Sequence, residues 1–282
     1  IVLFSLSGFA QNHQGKMPTE EQIDSIINKY KVNEKHSQKF ARLIIQDNGG
    51  RMKPVNTFSS ELLRKVSHKD TYKDLSSDQV FLSMTQFPTL WYEVPFIYIK
   101  PGNDIIGIPA TQKYARFINF FDEKGNYKLS KYLEEAYKAA NPNQFEKDFV
   151  ETDKKINLLN SALSGSILKI FPIPNDDNNK WVSYPELGET KLKGMDSVFT
   201  RQILPIYLNS LSNAALTNKF KESDFYLDGI IKYQKRYGSK VMPSEDKISS
   251  EILYNKYDVF KKLFYLYMIA GIMLLFFTII KI

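Results

Sequence analysis

The sequence predicts a mainly α-helical extramembrane domain with a small β element, followed by a transmembrane helix. Three observations carry that expectation. Leu263 to Ile280 is an uncharged run, LFYLYMIAGIMLLFFTII. At about 1.5 Å per helical residue it nearly spans a hydrocarbon layer of about 30 Å, and a few flanking residues complete it. Upstream, apolar residues recur at helical spacing behind recognisable caps, whereas strand-like runs are short and few.

The opening IVLFSLSGFA is mostly apolar and leads into the polar Gln11-Asn12-His13. Two readings of residues 1–10 stay open. They are the end of a signal segment, with Gly8 and Ala10 as the small residues before a cut, or the end of a preceding transmembrane helix. Both bring residues 11–262 out of a membrane as a domain flanked by it. With no initiator Met and an apolar run that reaches the last residues, a piece of a longer membrane protein is expected.

Thr19-Glu20-Glu21-Gln22 is a capping box, followed by Ile23, Ile26, Ile27 and Tyr30 on one helical face. Ser76-Ser77-Asp78-Gln79 is a second box, leading to Val80, Phe81, Met84 and Phe87 before Pro88 stops the helix. Ser130 heads a short helix expected to bury Tyr132, Leu133, Ala136 and Tyr137. After the break at Asn141-Pro142-Asn143, Phe145, Phe149, Thr152, Ile156, Leu159 and Leu163 mark a long helix with a narrow apolar seam. Residues 196–220 and 223–237 are helical again, with Pro205 expected to kink the first. Ser244 starts a helix that leads toward residues 263–282, the transmembrane helix. Strands are expected at Phe96–Ile99 and Ile167–Phe171, and an exposed loop at Asn175–Lys180.

The composition excludes several chemistries. The chain has 38 Lys and Arg against 31 Asp and Glu, a formal charge of +7, and no cysteine. A disulfide framework, a cysteine nucleophile, a thiolate zinc site and a CxxCH haem attachment site are therefore out. Only six of the basic residues are arginine, and the lysines are interleaved with acids, as in Asp153-Lys154-Lys155. That reads as a solvated lysine-rich surface and predicts no nucleic-acid partner. No phosphate-cradling glycine motif and no GxSxG elbow occurs. The acidic NDDNN at 175–179 lacks the alternation and distal glutamate of a calcium loop, so a polar turn is expected. His68 is read as a cation at a helix C-terminus. His13 and His36 lie among polar residues without a partner ligand four positions away. The expected catalytic and metal residues are none.

The most distinctive stretch is Gln46 to Phe58. Asn48-Gly49-Gly50 supplies a tight turn with positive φ available. Pro54 forces Lys53 out of helical geometry, and Asn56 or Thr57 is expected to cap the helix carrying Phe58, Leu62, Leu63 and Val66. Gly49, Gly50, Arg51, Lys53, Pro54 and Thr57 thus form a candidate turn. It is either structural or an anion site, with Arg51 and Lys53 beside a helix start.

The same stretch, QDNGGRMKPVNTFSSELLRKVS, resembles the GR-x-KP-x-x-T segment of system II cytochrome c biogenesis proteins of the CcsB/CcsA (ResB/ResC) type, particularly the fused single-chain form. Residues 75–97, 167–181 and 249–267 resemble further segments in the same order. The resemblance implies a membrane-bound cytochrome c synthase, a haem lyase, that delivers haem and supports its attachment to apocytochrome c. It implies haem as cofactor of the full-length protein, and as partners apocytochrome c, other membrane segments of the same synthase and the inner membrane. It places the main domain in the periplasm. Charge alone points the other way, since Lys261 and Lys262 border the last helix on the domain side, but long domains translocate largely regardless of charge. The family's haem work rests on a tryptophan-rich segment and membrane-flanking histidines; Trp91 and Trp181 are isolated here, so no haem ligand is carried over and none is expected in this fragment. The alternative is a membrane-tethered, non-catalytic binding or assembly module.

Overall fold

Caps decide where most helices begin. In the computed structural model, which describes residues 18–100, 103–257 and 259–280, α1 (Glu20–Lys29) starts behind the Thr19 capping box. α2 (Glu34–Ala41) starts behind Asn33, whose side chain accepts from the His36 N–H. The proposed boundary segment 1–10, and His13, lie outside the described residues. A tight hairpin follows, β1 (Ile44–Gln46) antiparallel to β2 (Met52–Pro54), and feeds α3 (Val55–Ser67). A second hairpin pairs β3 (Thr71–Tyr72) with β4 (Leu75–Ser76). α4 (Ser77–Gln86) then leaves from the Ser76 capping box, and the short α5 (Pro88–Trp91) has proline at its first position.

β5 (Ile97–Tyr98) pairs with β6 (Tyr114–Ala115), within the expected strand at 96–99. α6 (Ser130–Lys138) and α7 (Gln144–Leu163) form the next helix pair, the second entered through an Asn143–Glu146 capping box. The strand expected at 167–171 is displaced: β7 is Phe171–Pro172, paired with β8 (Trp181–Val182). The intervening residues 175–180 are the hairpin loop, where Asn175 and Asn179 adopt positive φ and the Lys180 N–H donates to Asp176. α8 (Gly194–Thr217) and α9 (Lys221–Gly238) close this unit. Pro205 stands inside α8 without ending it.

The protein is mostly helical, with its strands confined to two-stranded hairpins among the described residues. The core gathers Phe40, Phe58, Leu62, Phe81, Trp91, Phe120, Phe171, Tyr207 and Leu227, all almost fully buried. Two burial expectations fail at helix ends. Tyr137 is exposed in the last turn of α6, and Phe145 in the first turn of α7, so the seam begins only at Phe149.

The chain divides into two compact units between Met242 and Pro243. The second holds α10 (Glu245–Tyr257) and α11 (Val259–Ile279). Lys262–Ile279 is long and apolar enough to cross a membrane, by length and composition, and its side chains are exposed along the whole length.

Candidate functional site

The candidate turn is the β1–β2 hairpin loop. Asp47 organises it: its Oδ1 accepts from the N–H groups of Gly49 (2.9 Å) and Arg51 (3.0 Å). Across the mouth, the Asp47 N–H donates to the Arg51 carbonyl at 2.9 Å. Gly50 has φ +82°, a conformation that costs a side-chain-bearing residue about 1–3 kcal/mol. Gly49 is not in that region, so only one of the two glycines is conformationally required.

Arg51 lies in the turn just before β2 and Lys53 inside the strand, and their surroundings differ. Arg51 is exposed. Lys53 is only 7% exposed, and its Nζ bonds Glu61 Oε2 at 3.1 Å, with Asp47 Oδ2 at 4.0 Å and the Phe58 ring beneath it. Lys53 therefore ties the hairpin to the second turn of α3. The expected cap is corrected. α3 begins at Val55, Pro54 occupies the cap position without a side-chain bond, and Thr57 is buried one turn in. Proline already fixes the backbone angle that a capping residue would select. Asn56 instead donates to both oxygens of Asp78 at 3.1 and 2.9 Å, and Ser59 donates to the same carboxylate. Burial pushes the Asp78 carboxyl up, and these two donors oppose it. The structure thus brings Gly49, Gly50, Arg51, Lys53 and Pro54 together, sends Thr57 into the core, and adds Asp47 and Glu61.

Both described histidines depart from their sequence expectations. His36 is 2% exposed, between the rings of Tyr207 and Phe220. Its Nδ1 lies 3.1 Å from Asp224 Oδ1 and its Nε2 3.0 Å from the Tyr207 hydroxyl. Lys39 completes the group by bridging Asp224 and Asp228. The signal was there: His36 and Phe40 stand at i, i+4 behind the Asn33 cap, with Val32 just before it, an apolar side with the histidine in it. His68 does end α3, in a left-handed conformation, and stacks on Tyr98 at 4.3 Å. It is not a simple terminal cation. Burial and the neighbouring Lys155 ammonium lower its pKa, against the pull of Glu151. Lys155, 6% exposed, bonds Glu151 at 2.9 Å and the Tyr98 carbonyl at 3.1 Å. The Lys155 hydrogen bond, outweighing burial and helped by Lys100, brings the Glu151 carboxyl down to about 2.

Burial lowers the His36 pKa more than Asp224 raises it. The unfolded chain then binds the imidazole proton more readily than the folded one, so stability is present above the unfolded pKa of about 6.5 and lost as pH falls. Thermal unfolding of the purified chain in detergent should show a midpoint that drops between about pH 7.5 and 5.5, by at most about 1.4 kcal/mol per pH unit. His36→Gln should be less stable at the upper pH yet flatter across the window. Equal slopes for the two proteins would show that His36 does not titrate as its burial demands.

Among the described residues no group of three His, Asp or Glu side chains is arranged to hold a metal ion. What these clusters do chemically is fix charge: each buried lysine and histidine has a carboxylate partner. No family model matches the chain. It is similar to Protein NrfI of Wolinella succinogenes, at 34% identity over 262 residues, which cover 90% of this chain and 28% of that relative. The chain thus spans little more than a quarter of the length of the curated relative it matches.

Proposed function

We propose that this chain is the extramembrane module, with its membrane anchor, of a system II cytochrome c synthase. In this reading residues 11–262 face the periplasm, residues 263–282 cross the inner membrane, and haem is handled by other parts of the full-length protein. The observation that supports it most is the ordered resemblance of residues 46–67, 75–97, 167–181 and 249–267 to that family. The last of these runs directly into the apolar helix. A cysteine placed at Asp177, in the exposed hairpin loop of a chain that has none of its own, should react with an impermeant maleimide in intact spheroplasts. Labelling only after lysis would put the domain on the other side.

The β1–β2 turn serves this module as an architectural joint. Lys53 is already committed to Glu61, and Asp47 to the turn's own N–H groups, so an external anion would have to displace a short ion pair. Restoring a deletion strain with Arg51→Ala, Lys53→Ala should lower the level of the synthase and of haem-stained cytochrome c in parallel. Loss of the Lys53 contact leaves Glu61 with only the longer 3.8 Å approach of Lys65, a cost of about 1 kcal/mol. Normal abundance with lost maturation would instead mark a carboxylate-binding site.

A further inference from the structure

Helix α8 is unlike the rest of this lysine-rich chain. Over Gly194–Thr217 it carries two charged residues, Asp196 and Arg201. Residues 195, 198, 202, 206, 209, 213 and 216 follow a 3-4-4-3-4-3 spacing, one stripe along the helix, and every one of them is exposed. Four of the seven are large and apolar: Met195 is 81% exposed, Val198 47%, Ile206 40% and Leu216 54%. The other three are Gln202, Asn209 and Asn213. The opposite face, with Ile203, Leu204, Tyr207 and Leu211, is packed in the core, so the outer stripe is not surplus from a helix that lacks a buried side.

The neighbouring helix extends the surface. Phe225 of α9 is 72% exposed and lines a shallow groove with Asn213, Thr217, Lys219, Lys221 and Glu222. The exposed charge on this segment is predominantly basic. Within residues 190–240 nine Lys or Arg side chains are exposed, among them Lys193, Lys219, Lys221, Lys232 and Arg236, against one exposed acid, Glu222. Asp196 accepts from the Tyr237 hydroxyl, and the half-exposed Asp224 and Asp228 are paired with Lys39.

We propose that the α8–α9 surface rests on the anionic headgroup layer of the membrane that α11 crosses; this rests on the reading of α11 as a transmembrane anchor. An uncharged stripe about 30 Å long with a cationic border is what an interfacial helix presents to lipid. Apolar side chains reach the acyl boundary, Asn and Gln bond headgroup oxygens, and lysine stems lie along the apolar surface with their ammonium groups at the phosphates. The tether keeps lipid at high effective concentration, so a contact too weak to recruit a free protein suffices here.

The absence of cysteine makes the test direct. Single variants Ile206→Cys, Phe225→Cys, Glu123→Cys (an exposed turn elsewhere) and Leu274→Cys (in α11) of the full chain are labelled with an environment-sensitive fluorophore. They are reconstituted into phosphatidylcholine vesicles with or without phosphatidylglycerol, and nitroxide-labelled lipid is the quencher. At 206 and 225 quenching should be at least about twofold with phosphatidylglycerol, and should weaken in its absence, in about 0.5 M salt, or with Lys219→Glu, Lys221→Glu, Lys232→Glu. Glu123 should stay unquenched and Leu274 quenched throughout. Quenching at 274 without quenching at 206 and 225 would overturn the proposal while leaving the anchor intact. No quenching at 274 would remove the anchor itself, and the proposal with it. Quenching at 206 and 225 that ignores lipid charge and salt would refute the anionic-lipid assignment. Burial of residue 206 in native membranes but not in vesicles would replace lipid with a protein partner.

Discussion

Gly238→Ala should be among the most damaging single-methyl additions in this protein. Gly238 is the last residue of α9 and has ordinary helical geometry, so the reason for glycine is space, not backbone freedom. A Cβ built there falls well inside contact distance of Trp181 Cζ2, with Cη2 at 3.0 Å and Cε2 at 3.1 Å. Trp181 is 1% exposed on β8 and is a rigid double ring, so neither partner has a free direction in which to retreat. The alanine gains up to about 1 kcal/mol of helix propensity and loses about 3 kcal/mol to overpacking. A fall of several degrees in the unfolding midpoint should follow. Trp181→Phe deletes the clashing atoms, and because the indole Nε1 has no hydrogen-bond partner it sacrifices no polar contact. The double variant should therefore recover part of the loss, a coupling of about 1–2 kcal/mol. Strict additivity in a thermal-melt cycle would show that the two residues do not meet.

The elements legible in the sequence are those written by local chemistry. Thr19, Ser76 and Asn143 each cap a helix through a box four residues long, and the 149–163 seam needs no partner to be seen. The hairpins were harder because their information is not local. β1 and β2 have three residues each, too few to show alternation, and β7 ends in a proline that argues against a strand. Those strands exist because side chains from far along the chain complete them. The Gln46 N–H donates to the Lys169 carbonyl, while Gln46 Oε1 accepts from the Trp181 N–H at 2.8 Å. The candidate turn was half legible. Gly50 and Pro54 announce a constrained backbone, but that Lys53 faces Glu61 rather than solvent depends on the register Ile45↔Lys53, which spacing alone does not set. The burial of His36 is hidden in the sequence because its neighbours there are polar, whereas its neighbours in space are Tyr207 and Phe220.

The same long-range logic singles out Gln234, the side chain on which β1, β7 and α9 converge. It is 1% exposed, near the C-terminal end of the helix that closes the unit. Its Nε2 donates to the Ile44 carbonyl at 2.8 Å and the Ile170 carbonyl at 3.0 Å, and its Oε1 accepts from the Ile44 N–H at 3.2 Å. Ile44 and Pro54 form a non-hydrogen-bonded pair: the hairpin bonds run between Leu43 and Val55 and between Asp47 and Arg51, so the Ile44 N–H and C=O point away from β2 and the glutamine satisfies them. Gln234→Leu keeps the volume but leaves three buried backbone groups without partners. The expected cost is about 3–5 kcal/mol, a large share of a domain's stability, seen as a lower unfolding midpoint and trypsin cleavage in the 44–54 hairpin. Gln234→Glu separates loss of hydrogen bonds from loss of shape. The ionised carboxylate still accepts from the Ile44 N–H but faces two carbonyl oxygens, whereas the protonated acid donates to one of them. Burial and those carbonyls therefore hold the new carboxyl's folded pKa above its unfolded value of about 4.3. Folding then takes up a proton, and the stability that protonation supplies is present at low pH and lost as pH rises through the folded pKa. Relative to the native protein, Gln234→Glu should be less impaired near pH 4.5 than near pH 7.5, while Gln234→Leu should be impaired equally at both. If both variants unfold within a degree or two of the native chain, β1 is held in place by something other than this side chain.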